Sequence, residues 1–478
     1  MMSLRPTLLA LACLIAPLPL TANDLPSLGD SSSAAVSPLQ EYQLGRAWLS
    51  ILRGQVPQLS DPLLKDYVER SVYRLAETSQ VQDRRFEFVL LRSDQINAFA
   101  APGGIVGVNG GLFLYAETEA EYAAVMAHEL AHLSQRHFAR GLMAQQRLQL
   151  PMMAAMLAGI VAAAAGAGDA GIAAIASTQA AAIQEQRRFS RQNEQEADRV
   201  GLLNMEKAGY DPKAMPRMFE RLARQYRYDS RPPEFLLTHP VTESRIADTS
   251  NRAEQFQRGG RDDSLEYQLI RARTRLMFEQ TPGSAAQQFR AMLDEHPEKD
   301  AARYGLAISQ TKVGKLDEAQ QLLSELLKKN PDSLIYGLAQ VELDEARNRL
   351  NDAGKRIEQL TSLYPGSYPV KQAAIDLLLK QNQPQQAEKL LDGLRLDRPK
   401  DPDVWYEVAE VRGLSGNIIG VHEARAEYFA LVGDYDQALQ QLDFARRRAA
   451  NNFPLAARID ARYQALKEEQ RAVKDLLG

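Results

Sequence analysis

The sequence predicts a mainly α-helical protein of the α+β class, with a first domain that contains a small β-sheet and a second, all-α domain built as a solenoid of repeats. Three observations lead to this prediction. Apolar residues recur every three or four positions in segments 40–52 and 62–75, as they do in amphipathic helices. Segment 85–109 instead combines alternating apolar residues with glycines, which predicts strands and tight turns. From residue 262 onward the chain repeats every 34 residues, so we expect a helical array.

The first 22 residues have the pattern of a cleaved secretory signal. Arg5 precedes an apolar run over residues 7–20 and small residues follow it, so we expect cleavage near Ala22. The chain's one cysteine, Cys13, lies inside this segment. A lipoprotein would be modified there, but the apolar run continues beyond it. The mature chain then lacks cysteine, so any metal must be held by histidine and carboxylate side chains.

Length and composition are those of a globular protein with more than one domain. A chain of 478 residues is too long for a single core. The hydrophobic fraction of 45% and the charged fraction of 25% are ordinary. A net charge of -4 without a basic patch gives no support to nucleic-acid binding. We place the first domain at residues 23–258 and the repeat domain at 262–478, on either side of a polar, glycine-containing boundary.

The chemistry of the first domain centres on the sequence His-Glu-Leu-Ala-His at residues 128–132. The surrounding run has no proline or glycine and is rich in Ala, Glu and Leu, which predicts a helix. Because positions four apart share a helix face, His128 and His132 can bind one zinc ion, and Glu129 can act as general base on a metal-bound water. The alternative is a helix whose histidines match this spacing by chance. His137 would lie on the opposite face of a continuous helix, and we leave it outside the site.

The segment at residues 150–184 is rich in Ala, Met and Gly and nearly free of charge. We expect a mobile flap or a helical hairpin near the metal site. A hairpin that dips into a membrane, and so makes a peripheral membrane contact, is the alternative. A single membrane span is excluded, because it would separate the two histidines from any metal ligand downstream.

A third protein ligand is expected on the polar helix predicted around residues 190–199. A catalytic zinc ion with two histidines needs one more protein ligand and an open position for water. Glu194 and Asp198 are four apart, so one of them can bind the metal while the other orients a ligand imidazole. Glu196 points elsewhere. A solvated helix face is the alternative reading of these acidic residues.

These motifs resemble the gluzincin metallopeptidases related to the CAAX prenyl protease and HtpX. The segments that carry the resemblance are His128-Glu129-x-x-His132, Glu194-x-x-Ala197-Asp198, Asn97-Ala98-Phe99-Ala100 and Pro102-Gly103-Gly104. The resemblance implies a gluzincin peptidase fold with one zinc ion per chain, bound by His128, His132 and Glu194. It also implies that Glu129 is the catalytic base and that Asp198 orients a ligand. Those relatives have several strong membrane spans, which this sequence lacks, so it is closer to a secreted branch.

Segment 97–104 is a candidate for binding an extended polypeptide. An exposed edge strand beside the zinc helix can hold such a chain by backbone pairing. The candidate substrate-binding residues are Asn97, Ala98, Phe99, Gly103 and Gly104. A simple hairpin in a small sheet is the alternative.

His239 has two chemical roles open to it. Pro240 places it in extended chain just before a helix. A free imidazole there would donate to the oxyanion of the tetrahedral intermediate, whereas a zinc-bound one would displace the water and inhibit the enzyme. The family resemblance favours the second role, a self-inhibitory fourth zinc ligand that must move away. Local packing or capping is the remaining alternative.

The second domain is predicted to be a tetratricopeptide array. Its markers recur at intervals of 34 residues and comprise Pro297, Pro331, Pro365 and Pro399, together with Ala285, Ala319, Ala353 and Ala387. A small residue inside one helix and a proline at the end of each helix pair are typical of tetratricopeptide repeats. Beyond Asp403 the register is lost, so we expect atypical terminal repeats. Such a solenoid does no chemistry and offers a concave surface to protein ligands.

The combination of secretion signal, peptidase motif and repeats resembles a family of periplasmic peptidases that act on outer-membrane proteins. The resemblance implies a periplasmic endopeptidase in the quality control and assembly of outer-membrane β-barrel proteins, which cleaves misassembled clients and other unfolded polypeptides. The barrel assembly machinery is the implied partner. The alternative is a chaperone or scaffold for these proteins whose protease site is closed or only conditionally active. The intact ligand set with Glu129 argues against a purely structural role, because a scaffold needs no base beside its metal.

Overall fold

The computed structural model of this chain describes residues 37–144, 190–226, 234–256 and 259–477. The predicted signal segment 1–22 and the uncharged segment 150–184 lie outside these residues. Within the described ranges, no helix is both long enough and apolar enough to span a membrane. The architecture is mainly helical with one small sheet, as the sequence predicts.

The first half of the chain packs helices around a three-stranded sheet. In chain order its elements are α1 (Pro38–Gln55), α2 (Pro62–Thr78), β1 (Glu87–Leu91), β2 (Ala98–Ala101), β3 (Ile105–Asn109), α3 (Gly110–Tyr115), α4 (Glu119–Ser134), α5 (137–144), α6 (190–207), α7 (Ala214–Tyr226), α8 (Glu234–Thr238) and α9 (Glu243–Ala253). For α5 and α6 the bounds cover the described residues only. The two proline-led helices α1 and α2 each begin behind a side-chain cap, from Ser37 and Asp61 respectively.

The sheet has β3 at its centre. This strand pairs in parallel with β1 and in antiparallel with β2, which leaves β2 at an edge of the described sheet. The turn between β2 and β3 requires glycine, because Gly103 and Gly104 have φ angles of 80° and 76°. Gly107 is also required, since the ring of Phe99 lies where its side chain would stand. Because β2 contacts α4, the hairpin places an edge strand beside the helix that carries the histidine motif.

The second half of the chain is the predicted array of helix pairs. Its elements are α10 (Leu265–Phe278), α11 (Pro282–Glu295), α12 (Asp300–Val313), α13 (Leu316–Lys329), α14 (Leu334–Ala346), α15 (Leu350–Leu363), α16 (Tyr368–Lys380), α17 (Pro384–Asp397), α18 (Pro402–Ser415), α19 (Ile418–Leu431), α20 (Tyr435–Arg448) and α21 (Phe453–Leu477). The four alanines that mark the repeat are all fully buried, since only a small side chain fits where paired helices touch. The last helix of the array is longer than the helix before it: α21 has 25 residues, whereas α20 has 14.

An aromatic cluster joins the two halves. Tyr67, Phe113 and Tyr122 pack with Tyr267 of α10, with ring centroids 5.0 to 6.2 Å apart. The Tyr267 hydroxyl also donates to the backbone oxygen of Ala116 at 2.8 Å. The hydrophobic core therefore continues from the first half into the repeats.

The far end of the array also returns to the first half, a contact that the sequence did not predict. Lys65 Nζ on α2 lies 2.7 Å from Asp401 Oδ2, and Arg398 pairs with Glu69. Helix α1 contacts α19 and α21. The first half of the chain thus contacts the array near both of its ends.

Candidate active site

Helix α4 carries the histidine motif through the interior of the first half. Thr118 caps its first turn by accepting from the backbone N–H of Glu121. His128 is fully buried, and His132 lies one turn later, with ring centroids 4.6 Å apart. The helix ends at Ser134. Because a packed helix and not a loop holds the motif, the direction of both imidazoles is fixed.

Four side chains from three segments of the chain converge on one point. His128 and His132 come from α4, Glu194 comes from α6, and His239 comes from the loop between α8 and α9. His128 Nε2 is 3.0 Å from His132 Nε2 and 3.3 Å from His239 Nδ1. Oxygens of Glu194 lie 3.4 Å from His132 Nε2 and 3.1 Å from His239 Nδ1. One ligand atom of each residue therefore lies within 4.8 Å of all the others.

These spacings fit a tetrahedral metal site. With zinc–nitrogen bonds of about 2.0–2.1 Å, two ligand atoms of a tetrahedron stand roughly 3.3 Å apart. The distances between ligand atoms that involve His128 or Glu194 run from 3.0 to 3.5 Å. A donor set of imidazoles and one carboxylate also matches the ligands that zinc accepts. The residues present therefore fit a metal ion of the size of zinc.

The electrostatics of the cluster favour a cation. Burial opposes a charge on His128, but the carboxylates of Asp198 and Glu194 raise its pKa to about 9. Burial alone would raise the pKa of Glu194, yet His128 and His239 hold it far below its usual range. For His132, burial lowers the pKa well below that of a free imidazole. Glu194 is thus ionised and His132 neutral, as metal binding requires, whereas His128 must release a proton to become a ligand.

Glu129 lies between the metal cluster and the edge strand. The backbone N–H of Ala100 on β2 donates to Glu129 Oε2 at 3.2 Å, and Glu129 Oε1 lies 3.6 Å from His239 Nε2. The side chain is buried, and burial raises the pKa of its carboxyl. Since a carboxylate with a raised pKa is a better base near neutral pH, Glu129 has the position and the basicity of a proton acceptor.

Asp198 contacts His128 and is not one of the four residues that converge. Its Oδ1 lies 3.0 Å from His128 Nδ1, the ring nitrogen that faces away from the other ligands. Arg245 on α9 donates to both Asp198 oxygens at 2.7 Å, and its Nη1 lies 2.9 Å from Glu194 Oε2. The same Nη1 donates to the carbonyl of Pro240 at 2.9 Å. Arg245 therefore ties both carboxylates to the loop between α8 and α9.

His239 takes the fourth donor position of the cluster. It follows the short helix α8, and its backbone N–H donates to Phe235 O at 2.7 Å. Its ring centroid lies 5.2 Å from that of Phe235. A catalytic zinc site keeps its fourth position open for water or substrate. The position of His239 allows it to serve as a fourth ligand, because its Nδ1 lies 3.3 Å from His128 Nε2.

The predicted peptide-binding residues divide into two groups. Phe99 and Gly103 line a cavity of about 230 Å³ beside the histidines. Asn97, Ala98 and Gly104 do not line it. The carbonyl of Asn97 bonds within the hairpin and the side chain of Ala98 is buried, so these two residues hold the strand in place.

His137 lies closer to His132 than the helical spacing predicted, although it is not one of the four residues that converge on the metal site. A continuous helix would put it on the face opposite His128, but α4 ends at Ser134 and Arg136 adopts a left-handed φ of 51°. This turn brings His137 Nδ1 to 2.8 Å from His132 Nδ1. Three of the chain's six histidines lie within residues 128–137, and this clustering of a scarce residue was the signal available in the sequence.

Glu196 also lies closer to the site than the helical spacing indicated. Its Oε2 is 3.1 Å from His137 Nε2 and accepts from Arg140 Nη1 at 2.8 Å. Both partners belong to α5, whose direction depends on the turn after α4. The position of Glu196 was therefore not predictable from its own helix.

Comparison with known proteins identifies the family. The profile of peptidase family M48 matches residues 62–253, and a tetratricopeptide repeat profile matches residues 277–341 and 344–410. The beta-barrel assembly-enhancing protease of Escherichia coli (strain K12) is 36% identical over 461 residues, which cover 95% of this chain and 93% of that protein. The putative beta-barrel assembly-enhancing protease of Vibrio cholerae is 36% identical over 468 residues, 96% of each chain. The mitochondrial metalloendopeptidase OMA1 of Arabidopsis thaliana is 27% identical over 224 residues, 46% of this chain and 42% of that protein.

The two bacterial relatives match this chain through both the peptidase half and the repeats. The part matched by the M48 profile contains the complete cluster of histidines and Glu194, with Glu129 beside it. This chain is therefore a metallopeptidase of family M48 and belongs to the family of the β-barrel assembly-enhancing proteases.

Proposed function

We propose that this protein is a zinc-dependent endopeptidase of the periplasm that acts in the quality control and assembly of outer-membrane β-barrel proteins and cleaves misassembled ones. The observation that carries the proposal is the convergence of His128, His132 and Glu194 beside a buried base. The names of the relatives from Escherichia coli and Vibrio cholerae support the client class and, with it, the compartment.

The proposed zinc ligands are His128, His132 and Glu194. A zinc ion held by them would polarise the peptide carbonyl and lower the pKa of the attacking water. Glu129 accepts the proton of that water and passes it to the leaving amine, a role that its burial and raised pKa favour. Asp198 keeps His128 in the orientation and tautomer that a ligand needs.

We propose that the polypeptide substrate lies along β2. This strand is at an edge of the described sheet, and the N–H of Ala100 points to Glu129 instead of to another strand. An extended chain added at such an edge is held mainly by backbone hydrogen bonds. Binding of this kind suits unfolded polypeptides of varied sequence.

His239 is proposed as a self-inhibitory fourth ligand. Its Nδ1 lies 3.3 Å from His128 Nε2, at the position that water or substrate must occupy. Cleavage then requires that the loop between α8 and α9 moves away. The same closed geometry favours a second candidate function, a chaperone or scaffold for β-barrel proteins with a conditionally active protease. The repeat array supports both functions, since it offers a surface for protein ligands such as the barrel assembly machinery.

Incubation with an unfolded outer-membrane β-barrel protein separates the two candidate functions. We expect slow cleavage that stops when a chelator removes the metal, returns with added zinc, and is absent in Glu129→Gln. His422→Asn, in the repeat array, is the control and should cleave like the wild type. Equal cleavage by Glu129→Gln and the wild type would show that the peptidase proposal is wrong. A higher yield of folded barrel without cleavage by either protein would establish the scaffold function in its place.

A further inference from the structure

The ligand histidine His132 contacts a second histidine through the ring nitrogen that faces away from the metal cluster. Its Nε2 lies 3.4 Å from Glu194 Oε1, whereas its Nδ1 lies 2.8 Å from His137 Nδ1. His137 is buried, and its Nε2 lies 3.1 Å from Glu196 Oε2. Arg140 Nη1 donates to the same oxygen at 2.8 Å. The two ring nitrogens of His137 therefore connect His132 to the ion pair of Glu196 and Arg140.

Metal binding by His132 determines which atom donates in the hydrogen bond from His132 to His137 and in the one from His137 to Glu196. When His132 uses Nε2 as a ligand atom, that nitrogen presents its lone pair and the ring proton is on Nδ1. This Nδ1–H donates to Nδ1 of His137, so the proton of a neutral His137 is on Nε2. The Nε2–H in turn donates to Glu196, which Arg140 holds in place. The orientation and tautomer of both rings are thus set by an ion pair outside the metal cluster.

The backbone turn after α4 directs His137 towards His132. Arg136 has a φ of 51°, a conformation that costs a non-glycine residue free energy and that ends the helix. Its guanidinium lies 3.0 Å from Glu41 Oε2 on α1, which holds the turn against the first helix. The turn aims His137 back at His132, where a continuous helix would carry it away.

We propose that His137, held by Glu196 and Arg140, is a positioning residue that fixes the orientation and tautomer of the metal ligand His132. The inference rests on the zinc site proposed above. It gives His132 the support that Asp198 gives His128, with one difference: a second imidazole stands between the ligand and its carboxylate.

The test is zinc affinity, measured by competition with a chelator. His137→Leu removes both ring contacts and should weaken zinc binding by about 10–100-fold. His137→Asn keeps an acceptor near the position of Nδ1 and should recover part of this loss. His422→Leu is the matched control, because His422 is a half-buried histidine in the repeats whose Nδ1 lies 2.8 Å from Gln441 Oε1. It should bind zinc like the wild type.

The absorption spectrum of the Co²⁺-loaded protein provides a second readout, since it reports the ligand geometry directly. His137→Leu should shift the bands, and His422→Leu should leave them unchanged. If His137→Leu does not fold, Glu196→Leu takes its place and should also weaken zinc binding. Unchanged affinity and spectrum in the folded variant would overturn the inference and leave the zinc site standing, whereas a wild type that binds no zinc would overturn both.

Discussion

The Nδ1 atom of His128 lies 3.0 Å from Oδ1 of Asp198, and each side chain is only 1% exposed. Arg245 holds the same carboxylate with two hydrogen bonds of 2.7 Å. Although burial alone would raise the pKa of Asp198, Arg245 and His128 lower it, so the carboxylate is ionised. The protein thus orients His128 before any metal or substrate binds.

Asp198→Asn should weaken zinc binding by about tenfold or more, because a neutral amide no longer fixes the tautomer of His128 or balances Arg245. Chelator competition measures the change. Asp248→Asn is a control on α9, where the side chain is half-buried and pairs with Arg252. It should bind zinc normally. Full affinity in Asp198→Asn would show that the contact with His128 is not needed for metal binding.

His239→Ala should raise the rate at which an unfolded protein is cleaved, because it removes the fourth donor. A closed state favoured by about 1.4 kcal/mol leaves roughly one molecule in ten open, so the expected increase is about tenfold. The double variant with Glu129→Gln should remain inactive. No increase in His239→Ala would contradict the inhibitory role, and a complete loss of cleavage would favour the oxyanion role.

The contact between the two halves should weaken in acid. Burial opposes a charge on Asp401, but Lys65 and Arg398 lower its pKa below the usual value. A carboxyl with a lowered folded-state pKa contributes stability above its unfolded pKa of about 3.9 and loses that contribution as the pH falls through the folded value. Asp401→Asn should therefore destabilise the protein by about 3 kcal/mol at pH 7, and by much less below the folded-state pKa.

Thermal melting at pH 7, and at a pH below the folded-state pKa of Asp401, measures this difference in stability. Asp403→Asn is the matched control, since Asp403 lies 3.6 Å from Lys65 Nζ and is more exposed than Asp401. Asp403→Asn should lower the melting temperature less than Asp401→Asn does. If Asp401→Asn loses as much stability in acid as at pH 7, the ion pair with Lys65 is not the cause of the loss.

The parts of the site that follow from local spacing were predictable from the sequence. His128 and His132 are four apart on one helix, and so are Glu194 and Asp198, so each pair was expected on one face. The tetratricopeptide period was visible for the same reason, because it depends on regular positions within helices.

The parts that depend on turns and tertiary contacts were not predictable. The position of His137 depends on the left-handed conformation of Arg136, which no propensity indicates. Arg245 reaches Asp198 only because α9 packs beside α6. The pairing of Lys65 with Asp401 joins residues 336 positions apart, and nothing in either local sequence indicates it.

The most direct test measures metal content and casein cleavage together, on the chain from Asn23 onward and on its Glu129→Gln variant. We expect about one zinc ion per chain in both proteins, with cleavage in the wild type and none in the variant. Zinc-free protein, or cleavage that survives in Glu129→Gln, would contradict a zinc peptidase site with Glu129 as its base.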